Sequence, residues 1–63
     1  MNIVCNDSVI LSVSGNTISA SNGDIYTVNG LVLLKNGQIV SMHVSNINEA
    51  VNVVIGLHGG RRL

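Results

Sequence analysis

Between Ser8 and Ser45 apolar and polar residues alternate in short runs. Each run ends at a pair of turn residues: Gly15-Asn16, Asn22-Gly23, Asn29-Gly30 or Asn36-Gly37. Alternation with a period of two is the signature of strands that turn one side to a core. Asn-Gly suits the two central positions of a type I′ turn, where both residues need positive φ, and Gly-Asn with glycine first suits type II′. The pattern therefore predicts a meander of five antiparallel strands, Ser8–Ser14, Thr17–Ser21, Asp24–Val28, Leu31–Lys35 and Gln38–Ser45.

Two-residue loops would also set the register, because the residues flanking each turn must face one another. Val13 would then pair with Ile18, Ala20 with Ile25, Thr27 with Val32, Val28 with Leu31, Tyr26 with Leu33, Asp24 with Lys35, Leu34 with Ile39 and Leu33 with Val40. The Asp24–Lys35 pair places opposite charges across from one another. In this register one face collects Val9, Leu11, Val13, Ile18, Ala20, Ile25, Val32, Leu34 and Ile39, with Thr27, Ser41 and His43 among them, and reads as a core. The other is divided between a wet half, Ser12, Ser14, Thr17, Ser19 and Ser21, and an apolar half, Tyr26, Val28, Leu31, Leu33, Val40, Met42 and Val44. A single sheet cannot bury both faces, so a second layer is required.

The segment after Asn46 supplies one. Asn46-Ile47-Asn48-Glu49 has the form of a capping box, and Ile47, Ala50, Val51, Val54 and Ile55 follow one helical stripe. Gly59-Gly60 provides a stop, followed by Arg61 and Arg62, whose charge suits a helix C-terminus. Val51–Leu57 alternates as a strand would, and Gly56 weakens a helix by about 1 kcal/mol relative to alanine. The agreement of cap, stripe and stop favours the helix over a sixth strand. The fold class is mainly β with a C-terminal helix, α+β in the loose sense, in one domain spanning residues 1–63.

Composition changes this picture in one respect. A chain of 63 residues buries only about 60% of its unfolded surface and ordinarily needs a staple or a partner. Here the sole cysteine, Cys5, excludes an intrachain disulfide, 46% of residues are hydrophobic, 10% are charged and the formal net charge is zero. An apolar, uncharged and stapleless chain points to self-association, as a homodimer or higher oligomer. The apolar half of the divided face, Tyr26, Val28, Leu31, Leu33, Val40, Met42 and Val44, is the expected interface. No basic segment precedes an apolar stretch and no apolar run approaches a membrane span, so the expectation is a cytoplasmic protein without a membrane partner.

The inventory for chemistry is thin. Asp24 is accounted for by Lys35 and Glu49 by the cap, while Cys5, His43 and His58 lie too far apart in sequence to suggest a metal centre. No serine sits in a nucleophile elbow, and no glycine-rich loop leads from a strand into a helix to cradle phosphate. Neither an enzyme nor a cofactor is expected. Three cations, Lys35, Arg61 and Arg62, are the candidate contacts for a polyanion or a partner, and Tyr26 is the single aromatic platform, which is little for nucleic acid.

The stretch VNVVIGLHGG resembles, with one gap, a strand of the tryptophan-sensing RNA-binding attenuator proteins, which form β-rich rings; it lacks their basic residues in order and transfers no residue role. LHGGRRL resembles the Gly-Gly terminus of ubiquitin-like modifiers, whose mixed sheet and central helix have no counterpart in the pattern. The functional expectation is a small non-enzymatic protein–protein interaction protein, an inhibitor or adaptor of the kind phages encode, acting as a homo-oligomer. Its rival is a dimeric or ring-forming regulator that binds nucleic acid or a small ligand.

Overall fold

The computed structural model describes all residues from Met1 to Leu63. Six strands form one antiparallel sheet in chain order: β1 (Asn2–Val4), β2 (Ile10–Ser14), β3 (Thr17–Ala20), β4 (Ile25–Asn29), β5 (Val32–Lys35) and β6 (Gln38–Ser41). Helix α1 (Ile47–Leu57) packs on one face. The meander and the helix follow the sequence pattern. The strand it lacks is β1, which turns only Ile3 inward between its ends and so carries no readable alternation.

The Asn-Gly pairs build three different turns. At Asn36-Gly37 both residues take positive φ, 51° and 86°, as a type I′ turn requires, and Leu34 faces Ile39 as expected. At Asn29-Gly30 the asparagine ends β4 and faces Val32; Gly30, at φ 64°, becomes the first of two loop residues and Leu31 the second. Gly15-Asn16 has the same glycine-first form, with Val13 facing Ile18.

Asn22-Gly23 belongs to a three-residue loop. The Gly23 amide donates to the Ala20 carbonyl at 3.0 Å, the Ala20 amide to the Asp24 carbonyl at 2.9 Å, and only Gly23 has positive φ. Asn22 uses its side chain instead, its Oδ1 accepting the Asp24 amide at 3.0 Å. This Asx turn caps the loop without requiring a left-handed asparagine backbone.

The extra residue changes the faces. Ile25 pairs with Ser19 and not Ala20, and Tyr26 comes beside Ile18. Because side chains alternate with period two, a one-residue slip carries every later side chain to the other face. Tyr26, Val28 and Leu33 thereby join Ile3, Leu11, Ile18 and Ala20 beneath the helix, while Ile25, Val32, Leu34 and Ile39 turn outward with Ser12, Ser14 and Ser19. The expected core face and divided face exchange their second halves. In β4 and β5, Val28 faces Leu33, Asn29 faces Val32 and Tyr26 faces Lys35, two residues from the expected pairing but with the same division of faces. This register lets the Asn36 side chain accept the Ile25 amide at 2.9 Å and donate to Asp24 at 3.0 Å. Val40 is the bulged residue of β6, since Leu33 pairs with Ser41.

The helix begins where the sequence places it. Asn46 Oδ1 accepts the Glu49 amide at 3.0 Å, and the Glu49 carboxylate reaches back to the Ser45 amide at 3.4 Å. Ala50, Val51, Val54 and Ile55 are buried against the sheet. At the other end the Gly60 amide donates to the Ile55 carbonyl at 2.9 Å, the long bond of a Schellman turn. Gly59 has φ +93°, and a methyl group there would also run into the Asn6 carboxamide. Both constraints demand glycine. The stretch resembling an attenuator-protein strand is thus mostly α1, and its resemblance ends with the fold.

Beyond Gly60 the chain returns to β1. The Asn6 amide donates to the Arg61 carbonyl and the Leu63 amide to the Val4 carbonyl, both at 2.8 Å, around a bridge between Cys5 and Arg62. The tail covers part of one sheet edge, which would otherwise offer unpaired backbone groups.

Candidate functional site

The loop joining β1 to β2 repeats the loop joining β3 to β4. The Ser8 amide donates to the Cys5 carbonyl, the Cys5 amide to the Val9 carbonyl, and Asp7 Oδ1 accepts the Val9 amide at 3.0 Å. Ser8 takes the glycine-like position at φ 74°. The turn leaves the second oxygen of Asp7 free to meet the end of α1, where it lies 3.2 Å from His58 Nδ1. The other ring nitrogen, Nε2, is 2.8 Å from the Tyr26 hydroxyl.

These three side chains form a polar network that runs from the exposed Asp7 carboxylate to the buried Tyr26 hydroxyl. In a neutral imidazole one ring nitrogen donates and the other accepts, and the tautomer with its hydrogen on Nδ1 lets His58 donate to Asp7 while Nε2 accepts from the Tyr26 hydroxyl. Burial is the main reason that the phenol's pKa is raised, which keeps its proton in place for that bond. The tyrosine and histidine rings meet edge to face at 85° and 6.0 Å between centroids. One hydrogen-bonded chain thus ties the first loop, β4 and the C-cap of the helix together.

The order acid, imidazole, hydroxyl is that of a nucleophilic relay, so access decides its chemistry. Tyr26 is 0% exposed, His58 is buried, and the surface has no cavity leading to them. A substrate cannot reach the hydroxyl in this structure; the network is a pin between elements. Cys5 lies in the same interior, its thiol pKa raised by burial first and by Asp7 second, so it is held in the unreactive form. No three of the cysteine, histidine and acidic side chains converge on one point. No helix is long and apolar enough to cross a membrane.

The residues expected at an interface are separated by the slip. Tyr26, Leu33 and Val44 are buried in the chain's own core, and Val28 packs against it. Leu31, Val40 and Met42 are exposed. Lys35 Nζ lies 3.7 Å from Asp24, so this expected ion pair forms although the two residues are not direct cross-strand partners. Arg61 and Arg62 are exposed in the tail that lies along β1. His43, expected within the core face, is exposed beyond β6.

The sequence signals for the network were Asp7 in an Asx-type turn, the lone tyrosine, and a histidine placed at a helix stop. No local spacing links them, since 51 residues separate Asp7 from His58 and 32 separate Tyr26 from His58.

The outer face is a second candidate site. Ile25, Val32, Leu34 and Ile39 form a contiguous group across β4, β5 and β6, with Ile39 59% and Ile25 42% exposed. Ser12, Ser14, Thr17 and Ser19 occupy β2 and β3 beside it. No charged residue points outward from any of the six strands. Comparison of the chain with family models, with curated proteins and with solved structures finds no match.

Proposed function

We propose that this chain is a small non-enzymatic protein–protein interaction protein that works in association with other chains, its own copies first among them. The observation carrying this reading is the uncharged outer face, on which Ile25, Leu34 and Ile39 lie together without a covering layer. Antiparallel sheets that face water are ordinarily polar on that side. Leaving several branched side chains uncovered forfeits stabilisation that a short chain needs, since full burial of one is worth roughly 1.5–3 kcal/mol. The zero net charge works in the same direction, because it gives free copies no mutual repulsion.

The burial of Tyr26 and His58 supports the non-enzymatic part of the reading, because it closes the hydroxyl of the network off from solvent. A polyanion-binding role has less support, as Lys35 is engaged by Asp24 and only the tail arginines remain. Sedimentation equilibrium over a wide concentration range tests the proposal. The expected result is a mass above that of the 6.6 kDa chain, rising with concentration. A rigorously concentration-independent monomer would remove self-association, and tight salt-sensitive binding to a generic single-stranded RNA or DNA would favour the rival reading.

A further inference from the structure

We infer that Asn29 is a site of spontaneous covalent modification, a deamidation in which the Gly30 amide nitrogen displaces ammonia from the Asn29 side chain. The co-reactant is water. The backbone nitrogen attacks the carboxamide carbon Cγ, a new N–C bond forms, and the Cγ–Nδ2 bond breaks. Ammonia leaves with the proton given up by the backbone nitrogen, and a cyclic succinimide remains. Water then opens the ring at either carbonyl. One opening gives aspartate; the other gives isoaspartate, with the main chain rerouted through Cβ and Cγ.

Glycine in the next position makes the attack feasible, because it has no Cβ to obstruct the close approach. Asn22, Asn29 and Asn36 are the asparagines followed by glycine, and all three are exposed. Exposure therefore does not rank them. Hydrogen bonding does.

At Asn22 both reacting groups are held. Its Oδ1 accepts the Asp24 amide at 3.0 Å, and the Gly23 amide donates to the Ala20 carbonyl at 3.0 Å. Asn36 is held at both ends of its carboxamide, Oδ1 accepting the Ile25 amide at 2.9 Å and Nδ2 donating to Asp24 at 3.0 Å. Turning Cγ toward the next nitrogen breaks bonds in either case. At Asn29 neither group is held: the carboxamide takes part in none of the side-chain hydrogen bonds, and the Gly30 amide in none of the turn bonds. The bonds on either side, from the Val28 amide to the Asn16 carbonyl and from the Val44 amide to the Leu31 carbonyl, leave the reacting pair unengaged. Asn29 ends β4 and faces Val32, so the product puts a carboxylate on a side of the sheet where no strand residue is charged. Isoaspartate also adds a main-chain carbon next to the Val28–Leu33 pair.

The native chain, held at mildly alkaline pH and body temperature, is sampled over time beside a sample unfolded in guanidinium chloride. Digestion with pepsin at acid pH and tandem mass spectrometry then read each Asn-Gly pair, with chromatography separating isoaspartate from aspartate. The unfolded chain should convert at similar rates at all three. In the native chain Asn29 should convert first, roughly tenfold faster than Asn22 or Asn36, as one or two hydrogen bonds broken before attack imply. Conversion of Asn22 or Asn36 as fast as Asn29 in the native chain would overturn the assignment. So would a native Asn29 that stays intact for the time in which the unfolded chain converts.

Discussion

Leu33 and Leu34 are adjacent in β5, carry the same side chain, and have opposite surroundings. Leu33 is fully enclosed beneath the helix with Tyr26, Ile18 and Leu11, while Leu34 lies between Thr27 and Ile39 on the uncovered side. The inner face has a lid, a polar pin and all the chain's ion pairs at its margins. The outer face has none of these. Composition does not separate the two, because each is rich in branched aliphatic residues. One residue of loop length does, since the three-residue turn at Asn22-Gly23 determines which half-strands share a side with Ile18.

Truncating the two leucines gives the sharpest measure of that contrast. Leu33→Ala should lower the free energy of unfolding by about 2–5 kcal/mol, as deletion of a packed core leucine does. Leu34→Ala should cost about 1 kcal/mol or less in the protomer, as a partly exposed position does. Urea titrations at low protein concentration read both values free of association. Equal losses would erase the distinction between the faces, and a reversed order would restore the register of two-residue turns.

The next contrast is polar. Tyr26→Phe keeps the ring beneath the helix but leaves His58 Nε2 buried without its donor. The expected loss is about 1–2 kcal/mol, the cost of stranding one buried acceptor. Hydrogen exchange should rise around the end of α1, where the pin holds, and less in β2 and β3. Unchanged stability would mean that the hydroxyl contributes only as part of the ring's bulk.

Much of this architecture was legible in the pattern. Strand order follows from alternation and short turns, the helix from the agreement of Asn46, the apolar stripe and Gly59-Gly60, and the Asp24–Lys35 pair from the placement of rare charges. The face assignment was not, because Asn-Gly is compatible with more than one loop length. Asn36 satisfies its turn with a left-handed backbone, whereas Asn22 does so with its side chain, and the dipeptide is identical in both. The buried network escaped for a different reason. It is assembled by tertiary packing from three elements, and no periodicity encodes contacts of that range.

Ser8 and Gly23 allow the two related loops to be compared directly. Both occupy the positive-φ position after an Asx turn, but Ser8 bears a side chain there. A left-handed conformation costs a non-glycine residue about 1–2 kcal/mol, offset in part by the larger unfolded-state entropy of glycine. Ser8→Gly should therefore stabilise the fold by about 0.5 kcal/mol, and Gly23→Ala should destabilise it by about 1 kcal/mol. Thermal unfolding of the two variants beside the wild type reads both signs. A destabilised Ser8→Gly would show that the serine hydroxyl supports the loop that aims Asp7 at His58.

The smallest effect belongs to Asp24, at the corner between β3 and β4, and is read through pH. Asp24 has its carboxyl pKa lowered chiefly by the hydrogen bond from the Asn36 amide, opposed next by desolvation and helped to a lesser degree by Lys35 and Asn22. A folded-state value below the unfolded one means that the unfolded chain takes up the proton first as pH falls. The contribution is therefore complete above the ordinary carboxylate value of about 3.9 and disappears as pH drops through the lower folded value. The Asp24 side chain is 24% exposed and borders water, so screening leaves a shallow slope confined to the region below about pH 4. Asp24→Asn should flatten that slope, and so should Asn36→Ala, which removes the first cause while keeping the carboxylate. An acid limb unchanged in both variants would place the stabilisation of this corner in the turn backbone, with the charge of Asp24 contributing nothing to it.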